Sequence, residues 1–457
     1  MSELLDIATR VAGWANDGEQ VEAFVVHETE TEVRAYEGEV ESFTRAESQG
    51  VGVRVIVDGK QGYAYAGTLD DTALQETLRE ARDNASFAEP DEFNGLAVPD
   101  GIEPASLELW SDTVGAFPTE AKIALAIELE RAALAADTRI SGIESAEYID
   151  TAYESAVATS TGIAAAARET GCYVSVYTLA EADGETQTGF GFSIGRDPSE
   201  LDPAIAAADA ADRATRLLGA SKPGSERLTV VFDPWVTAQF LGIVGHTLTG
   251  EAVLKGRSMF ADRLGDVVAN PMITLVDDAT DPAAFTASAL DGEGIATRRT
   301  PLIVDGELQA FLHNAYSARR AGSSSTGSAV RGGFKSGPSV GAQALTLLPG
   351  TQSQSDLIAG IDNGFLVQGV SGLHSGVNPV SGDFSTGAEG LRIRDGELAE
   401  PIREVTIAST VQRLLQDVTG IGDDLQWLPM SSAGQTSPPQ RRRLHPPRPP
   451  LRRPSWQ

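Results

Sequence analysis

Two breaks cut this sequence into three stretches that no single core can span. Residues 88–112 are rich in Pro, Asp and Glu, and Ser221-Lys222-Pro223-Gly224-Ser225 is a second segment of linker composition. They leave an N-terminal unit over 1–90, a central unit over 113–220 and a C-terminal stretch over 226–430. A chain of 457 residues calls for two or three domains by length alone. With 41% hydrophobic residues, each can bury a core.

The first two units share a plan of strands between helices. Residues 3–16 read as a helix, with Leu4, Leu5, Ala8, Val11 and Ala12 on one stripe. The strand-like segments VEAFVVHE and TEVRAYEGEVESFTRAE follow, then the runs VGVRVIV and GYAYAG on either side of Asp58-Gly59-Lys60. An Asp-Gly turn between apolar runs predicts a hairpin. A helix opens after Thr68-Leu69 and runs to about 87, with Asp70 or Asp71 as its N-cap. In the central unit a helix is predicted over 118–137. Short strands follow at 139–149, 153–159, 162–168, 171–181 and 186–194, and then an Ala-rich helix over 200–218.

The texture changes after 225. The strand LTVVFD ends at Asp233-Pro234, where Pro234 starts the helix PWVTAQFLGIVGHTLTGEAVLKG. Short apolar runs broken by Gly fill 270–430, with Asp-Gly turns at Asp305-Gly306 and Asp395-Gly396 and a last helix over 404–418. The expected fold class is therefore α+β: N-terminal helix–antiparallel sheet–helix units followed by a β-rich C-terminal domain. Residues 435–457 hold six Arg, seven Pro and no acid. Such a segment forms no core and is expected to be either a disordered basic tail or the product of a frameshift.

Composition excludes several function classes. A net charge of -30 argues against nucleic acid and anionic membrane as partners, since both need basic surface. No apolar run approaches the roughly 18 residues that span a bilayer. The N-terminal segment lacks the basic and cleavable parts of a signal peptide, so a cytoplasmic location is expected. The one cysteine, Cys172, excludes a disulfide framework, and its place in the apolar run GCYVSVYTL reads as a buried structural thiol.

The helix after Asp233 holds the one constellation that suggests chemistry. It contains His246, but its neighbours are apolar or Gly. A hydrolytic zinc site needs three ligands, an open position and a carboxylate to take a proton from bound water. His27, His313, His374 and His445 are scattered one to a segment, so any assembly of His246, His313 and His374 would have to be built by the fold. The Gly/Ser-rich loops at 323–326 and 336–339 lack the context of a nucleophile elbow, and RGGFKSG lacks a full phosphate loop. Their expected role is to line a groove for peptide backbone, or to be plain surface loops.

The run GVNPVSGDFSTGAEGLRIRDGEL (376–398) resembles the C-terminal hallmark of the TldD/PmbA family, first described as modulators of DNA gyrase. SFTRAESQGVGVRVIVDGKQGYAYAG (42–67), LDGEGIATRRTPLIVDGELQAFLHNAYSARRAG (290–322) and GIGDDL (420–425) resemble further family segments in the same order, over about 430 residues. TldD-type chains of that family carry His-Glu-x-x-x-His and a late Cys as a third ligand. Here Leu241 stands for the first His, Gly242 for the Glu, and His246 alone is retained; no Cys follows Cys172. The resemblance therefore implies the PmbA (TldE) branch, with no catalytic, cofactor-binding or metal residues in this chain. It implies a TldD-type partner subunit that carries zinc, and a heterodimeric peptidase acting on unfolded or short peptides. The alternatives are a stand-alone metallopeptidase with atypical ligands, or a modulator of DNA gyrase without peptidase chemistry. The resemblance does not extend to the Arg/Pro tail.

Overall fold

A computed structural model describes residues 2–428; the Arg/Pro tail and His445 lie outside the described residues. Helix α1 (Ser2–Ala12) buries Ala8, Val11 and Ala12, the stripe its periodicity predicts. Strands β1 (Glu19–Tyr36), β2 (Glu39–Val57) and β3 (Lys60–Ala66) form a meander, closed by α2 (Asp71–Phe87). Asp58 and Gly59 both take positive φ, 49° and 73°, as the tight hairpin between β2 and β3 requires. Asp70, not Asp71, caps α2: its carboxylate accepts the Ala73 N–H at 3.0 Å.

After the short α3 (Asp112–Ala116), the central unit repeats the plan with α4 (Thr119–Ala136), β4 (Ile140–Thr159), β5 (Ala164–Ala182), β6 (Glu185–Gly195) and α5 (Pro203–Arg216). The four short strands expected between 139 and 181 are two long ones. Each is held along nearly its whole length by a neighbour, β4 between β1 and β5, so local dips in apolar pattern do not end it. The strand order is β3-β2-β1-β4-β5-β6. The two units thus share one six-stranded antiparallel sheet, joined where β1 pairs with β4.

The units also solve helix packing in the same way. A Cβ at Gly62 on β3 would lie 2.0 Å from the Ala81 carbonyl of α2, and one at Gly189 on β6 would lie 2.0 Å from the Ala210 carbonyl of α5. Glycine on the third strand and alanine on the closing helix let backbone approach backbone in both units.

The C-terminal region contains β7 (Thr229–Phe232), α6 (Pro234–Thr247), α7 (Gly250–Leu254), β8 (Leu275–Asp278), β9 (Arg299–Val304), β10 (Glu307–Leu308), α8 (Ala315–Ala321), β11 (Ala329–Val330), β12 (Ser339–Val340), β13 (Leu345–Leu347), α9 (Gln354–Ala359), β14 (Asn363–Ser371), α10 (Leu373–Gly376), β15 (Asp383–Arg394), β16 (Glu397–Thr410) and α11 (Val411–Gln416). Its two four-stranded sheets run β10-β9-β8-β13 and β16-β15-β14-β7, with β7 parallel to β14. Helix α6 contributes Val236, Phe240 and Val244 to a core shared with Leu275, Leu302, Phe365, Val367 and Phe384. Phe240 stacks on Phe232 at 5.0 Å and meets Phe384 edge-on at 5.1 Å. Each such side chain, fully buried, is worth about 1.5–3 kcal/mol.

Two helix expectations are corrected here. The helix expected through 256 stops at Thr247, because Thr249 caps a separate turn by accepting the Ala252 N–H. Of the last helix expected over 404–418, residues up to 410 belong to β16, which pairs with β15 across ten positions. The ladder overrides the local helical pattern. Among the described residues, no helix is long and apolar enough to cross a membrane.

Candidate functional site

Helix α6 starts where Asp233 accepts the Val236 N–H at 2.8 Å and pairs with Arg213 at 3.2 Å. Burial pushes the Asp233 carboxyl up from its ordinary value, against those two contacts. Leu241 is half-buried and packs on the core beneath the helix. Gly242 is exposed, and a Cβ built there meets nothing within 4 Å. His246 is exposed in the last turn, and among the described residues its ring has no hydrogen-bond partner. The helix thus presents an aliphatic chain, an empty position and one imidazole where a zinc site needs ligands and a base.

The other histidines are not brought to it. His313 is buried in the loop before α8, with Nδ1 3.1 Å from Ser317 Oγ, and burial lowers its pKa. His27 lies on β1, with Nε2 2.9 Å from Glu47 Oε1. The side chain of His374 lies outside the described residues. Among the described residues, no three His, Cys, Asp or Glu side chains converge as a metal site would require. The described residues of α6 offer one imidazole and no carboxylate, which does not fit zinc. Cys172 is fully buried, and burial pushes its thiol up to about 12, which makes it inert at neutral pH.

The loops singled out in the sequence have structural duties. Asn378 accepts the Val380 and Ser381 N–H groups at 2.9 and 3.2 Å, and Ser381 Oγ donates to Asp383 at 2.6 Å. The NPVSGDFS run is therefore a self-bonded turn before β15, floored by Phe384 and open beside Ser375–Pro379 as a shallow cleft. In the Ser-rich loop, Ser325 and Thr326 hydroxyls donate to the His313 carbonyl at 3.2 and 3.1 Å. RGGFKSG packs on the N-terminal sheet. Its Phe334 sits where a Cβ at Gly50 would be, 2.4 Å away, and its carbonyl accepts from Tyr63 Oη at 2.8 Å.

The same region holds a buried charge network that sequence reasoning missed. Arg54 of β2 donates to Glu22 of β1 at 2.6 Å and to Glu293 at 3.4 Å. Arg331 pairs with the other Glu22 oxygen and lies 4.6 Å over the Phe24 ring. Glu293 also accepts the Ala315 N–H at 2.8 Å. Asp291 folds the LDGEG loop by accepting from Glu293, Ile295 and Ala329 N–H groups at 2.8, 3.0 and 3.1 Å. Burial works to raise Glu22, but Arg331 and Arg54 outweigh it and hold the carboxyl below its ordinary value. Around the charges, Phe24, Val26 and Val157 of the sheet and Ile163 of the β4–β5 turn pack on Ile295, Ala315 and Phe334. LDGEGIATRRT and RGGFKSG are thus the clasp between the sheet and the C-terminal region. The available signal was three acids and two Arg inside otherwise apolar or Gly-rich segments, which mark buried pairs only once their partners are known.

Three family models match successive parts of the chain: PmbA/TldA metallopeptidase domain 1 over residues 21–85, the central domain over 112–218 and the C-terminal domain over 225–443. Metalloprotease PmbA of Escherichia coli O157:H7 is 27% identical over 429 residues, covering 93% of this chain and 92% of that protein. Curated relatives carry both PmbA and TldD names. TldE from Thermococcus kodakarensis superposes with a TM-score of 0.84 at 22% identity, over 94% of this chain and 96% of that one. A Thermotoga maritima protein described as a candidate modulator of a DNA gyrase superposes at 0.83 and 24% identity, over 93% and 96%. At these identities the two structures establish a common fold.

Proposed function

The chain belongs to the PmbA/TldD metallopeptidase family, and from that premise we propose that it is a PmbA/TldE-type, non-catalytic subunit. In this reading its partner is a TldD-type chain that carries the zinc, and the pair hydrolyses unfolded or short peptides. The observation that carries the proposal is α6. At the positions of the zinc motif it holds Leu241, half-buried against the core, and Gly242, which bears no side chain, beside a solitary His246. Leu has no lone pair for a metal and Gly cannot take a proton, so ligand count and general base are lost together. An intact family fold around a helix without those groups is what a subunit retained for assembly and substrate binding would keep.

Reconstitution tests the reading. The purified chain and a family member bearing His-Glu-x-x-x-His are assayed on an unfolded polypeptide, separately and mixed, with and without chelator. Hydrolysis is expected only in the mixture and only without chelator. Chelator-sensitive hydrolysis by this chain alone would overturn the proposal, as would failure of the two chains to associate.

A further inference from the structure

On the face of the six-stranded sheet that turns away from its helices, successive rungs line up across β1, β4 and β5. Glu28 lies beside Tyr153, and Tyr153 beside Glu169; the next rung is Glu30, Thr151 and Gly171. The clasp covers the start of this face at Phe24, Val26 and Val157, and Phe285 covers Gly171. Beyond them the face stays half open. Glu28, Glu30, Glu169 and Tyr173 are half-buried, and Tyr177 is 43% exposed.

The two ends of that face differ in chemistry. Near the C-terminal region it carries carboxylates without cations. Among the described residues, the Glu30 and Glu169 side chains accept no hydrogen bond and form no ion pair, and Glu28 has only the Ser48 hydroxyl. Arg196 acts on Glu169 only from a distance, because it donates instead to the Ala284 and Phe285 carbonyls at 3.3 and 2.6 Å. Burial pushes all three carboxyls above their ordinary values. Farther along β5 the face turns aromatic. Tyr177 packs on Phe190 at 4.8 Å and Phe190 on Phe192 at 5.5 Å. Both phenylalanines meet Trp235, at the start of α6, at 5.4 and 6.0 Å. Bare carboxylates followed by a row of rings fit a segment that is first basic and then Pro-rich. Guanidinium pairs with carboxylate, and prolines pack on aromatic rings.

We propose that this face is the docking site of the chain's own segment 441–450, with Arg441, Arg442 and Arg443 on the carboxylates and the prolines from Pro446 to Pro450 on the aromatic row. Residues 435–457 hold six Arg and no acid in a chain of net charge -30, so charge favours the contact. The described chain also ends beside the carboxylates. Trp427 and Leu109 pack on the same cluster of Ala284, Ala287 and Ala344. Leu109 in turn accepts the N–H of Thr170, the neighbour of Glu169, at 2.9 Å. From Leu428 to Arg442 an extended chain reaches up to about 45 Å, so tether length does not limit docking. Order and spacing agree too. Carboxylates lie near the exit and rings beyond it, as the three Arg precede the prolines. From Glu169 to Tyr177 the face runs about 27 Å at the rise of a strand. Arg442 to Pro450 spans about 25 Å in the extended left-handed form that Pro favours. Tethering keeps the segment at high local concentration, so individually weak contacts suffice. The docked segment closes the face beside Trp235 to any other basic chain until it is released.

Cys172 is the one cysteine and is fully buried, so Ser455→Cys gives the full chain a single reactive thiol for a fluorophore. Fluorescence anisotropy of that label is the test. At low salt the label is expected to rotate with the whole protein, at every protein concentration. Glu28→Gln/Glu30→Gln/Glu169→Gln is expected to release it and lower the anisotropy severalfold. Salt at about 1 M, which screens charge within roughly 3 Å, should do the same. Arg441→Glu/Arg442→Glu/Arg443→Glu should also release it. That variant alters no residue of the sheet, which separates loss of docking from loss of fold. A label that rotates freely in the otherwise wild-type chain overturns the proposal. So does a restricted label that either triple variant leaves restricted, since the segment then sits elsewhere. Restriction that appears only as protein concentration rises places the segment on another copy and overturns docking within the chain.

Discussion

The ring of His313 fills the space in front of Gly250: a Cβ at 250 would lie 2.1 Å from the imidazole Cε1 and 2.2 Å from Nδ1. His313 is thus wedged between the start of α7 and Ser317 of α8, and it acts as a packing group rather than a ligand. Gly250→Ala forces the ring or the helix start to move. A loss of about 1–3 kcal/mol is expected, as for other overpacked sites, read as a lowered midpoint in thermal unfolding. An unchanged midpoint would show that the ring moves freely and is no wedge.

The clasp between sheet and C-terminal region makes a larger prediction. Arg54→Ala leaves Glu22 and Glu293 buried with one cation fewer. Removing one member of a buried ionic group costs about 3–5 kcal/mol. Arg413→Ala, which removes an exposed pair with Asp417, should cost under about 1 kcal/mol. Urea unfolding of both variants measures the contrast; equal losses would mean that the buried network contributes little.

Asp277 gives a pH dependence with a definite sign. Its Oδ1 accepts the Gln343 and Ala344 N–H groups at 2.9 and 2.7 Å, yet burial raises its pKa from an ordinary 3.8 to about 6. A carboxyl with a raised folded-state pKa binds its proton more tightly when folded. Its contribution to stability is full below about pH 3.8 and is lost as pH rises through about 6. Asp277→Asn keeps the Oδ1 acceptor and cannot ionise. The variant should therefore gain stability relative to wild type between about pH 4 and 6, in parallel denaturant titrations. A difference that stays flat over that window would refute the assignment.

Gly242 separates zinc chemistry from helix stability. It is exposed inside α6 with open space around a Cβ, so Gly242→Ala should stabilise the chain by about 0.5–1 kcal/mol. The purified chain should hold no stoichiometric zinc after dialysis, and the Leu241→His/Gly242→Glu pair should still lack a third ligand. One zinc per wild-type chain, lost in His246→Ala, would contradict the reading of this helix.

Much of the local structure was legible. The Asp-Gly pairs at 58–59, 305–306 and 395–396 all turn with positive φ at both residues, because the turn is satisfied within a few residues of chain. Helix α6 starts at Pro234, and Cys172 is buried, as their neighbours suggested. Helix α6 could be placed from the Asp233-Pro234 pair and the apolar run after it. What the sequence left out was where its strands end. The runs 139–149 and 153–159 read as two strands because residues 149–153 break the apolar alternation, yet pairing with β1 and β5 carries β4 straight through them.

The sequence by itself determined whatever is settled between near neighbours: the turns, the caps and the helix stripes. Tertiary structure alone decided that the first two units share one sheet, that Glu293 and Arg331 clasp Glu22 and Arg54, and that β3 covers only residues 51–57 of the β2 edge. Glu22 and Arg331 stand 309 positions apart. A buried charge is tolerable only beside its counter-charge, and an edge is free only if nothing folds onto it. Both conditions depend on which distant segments meet, and no local pattern of residues encodes that meeting.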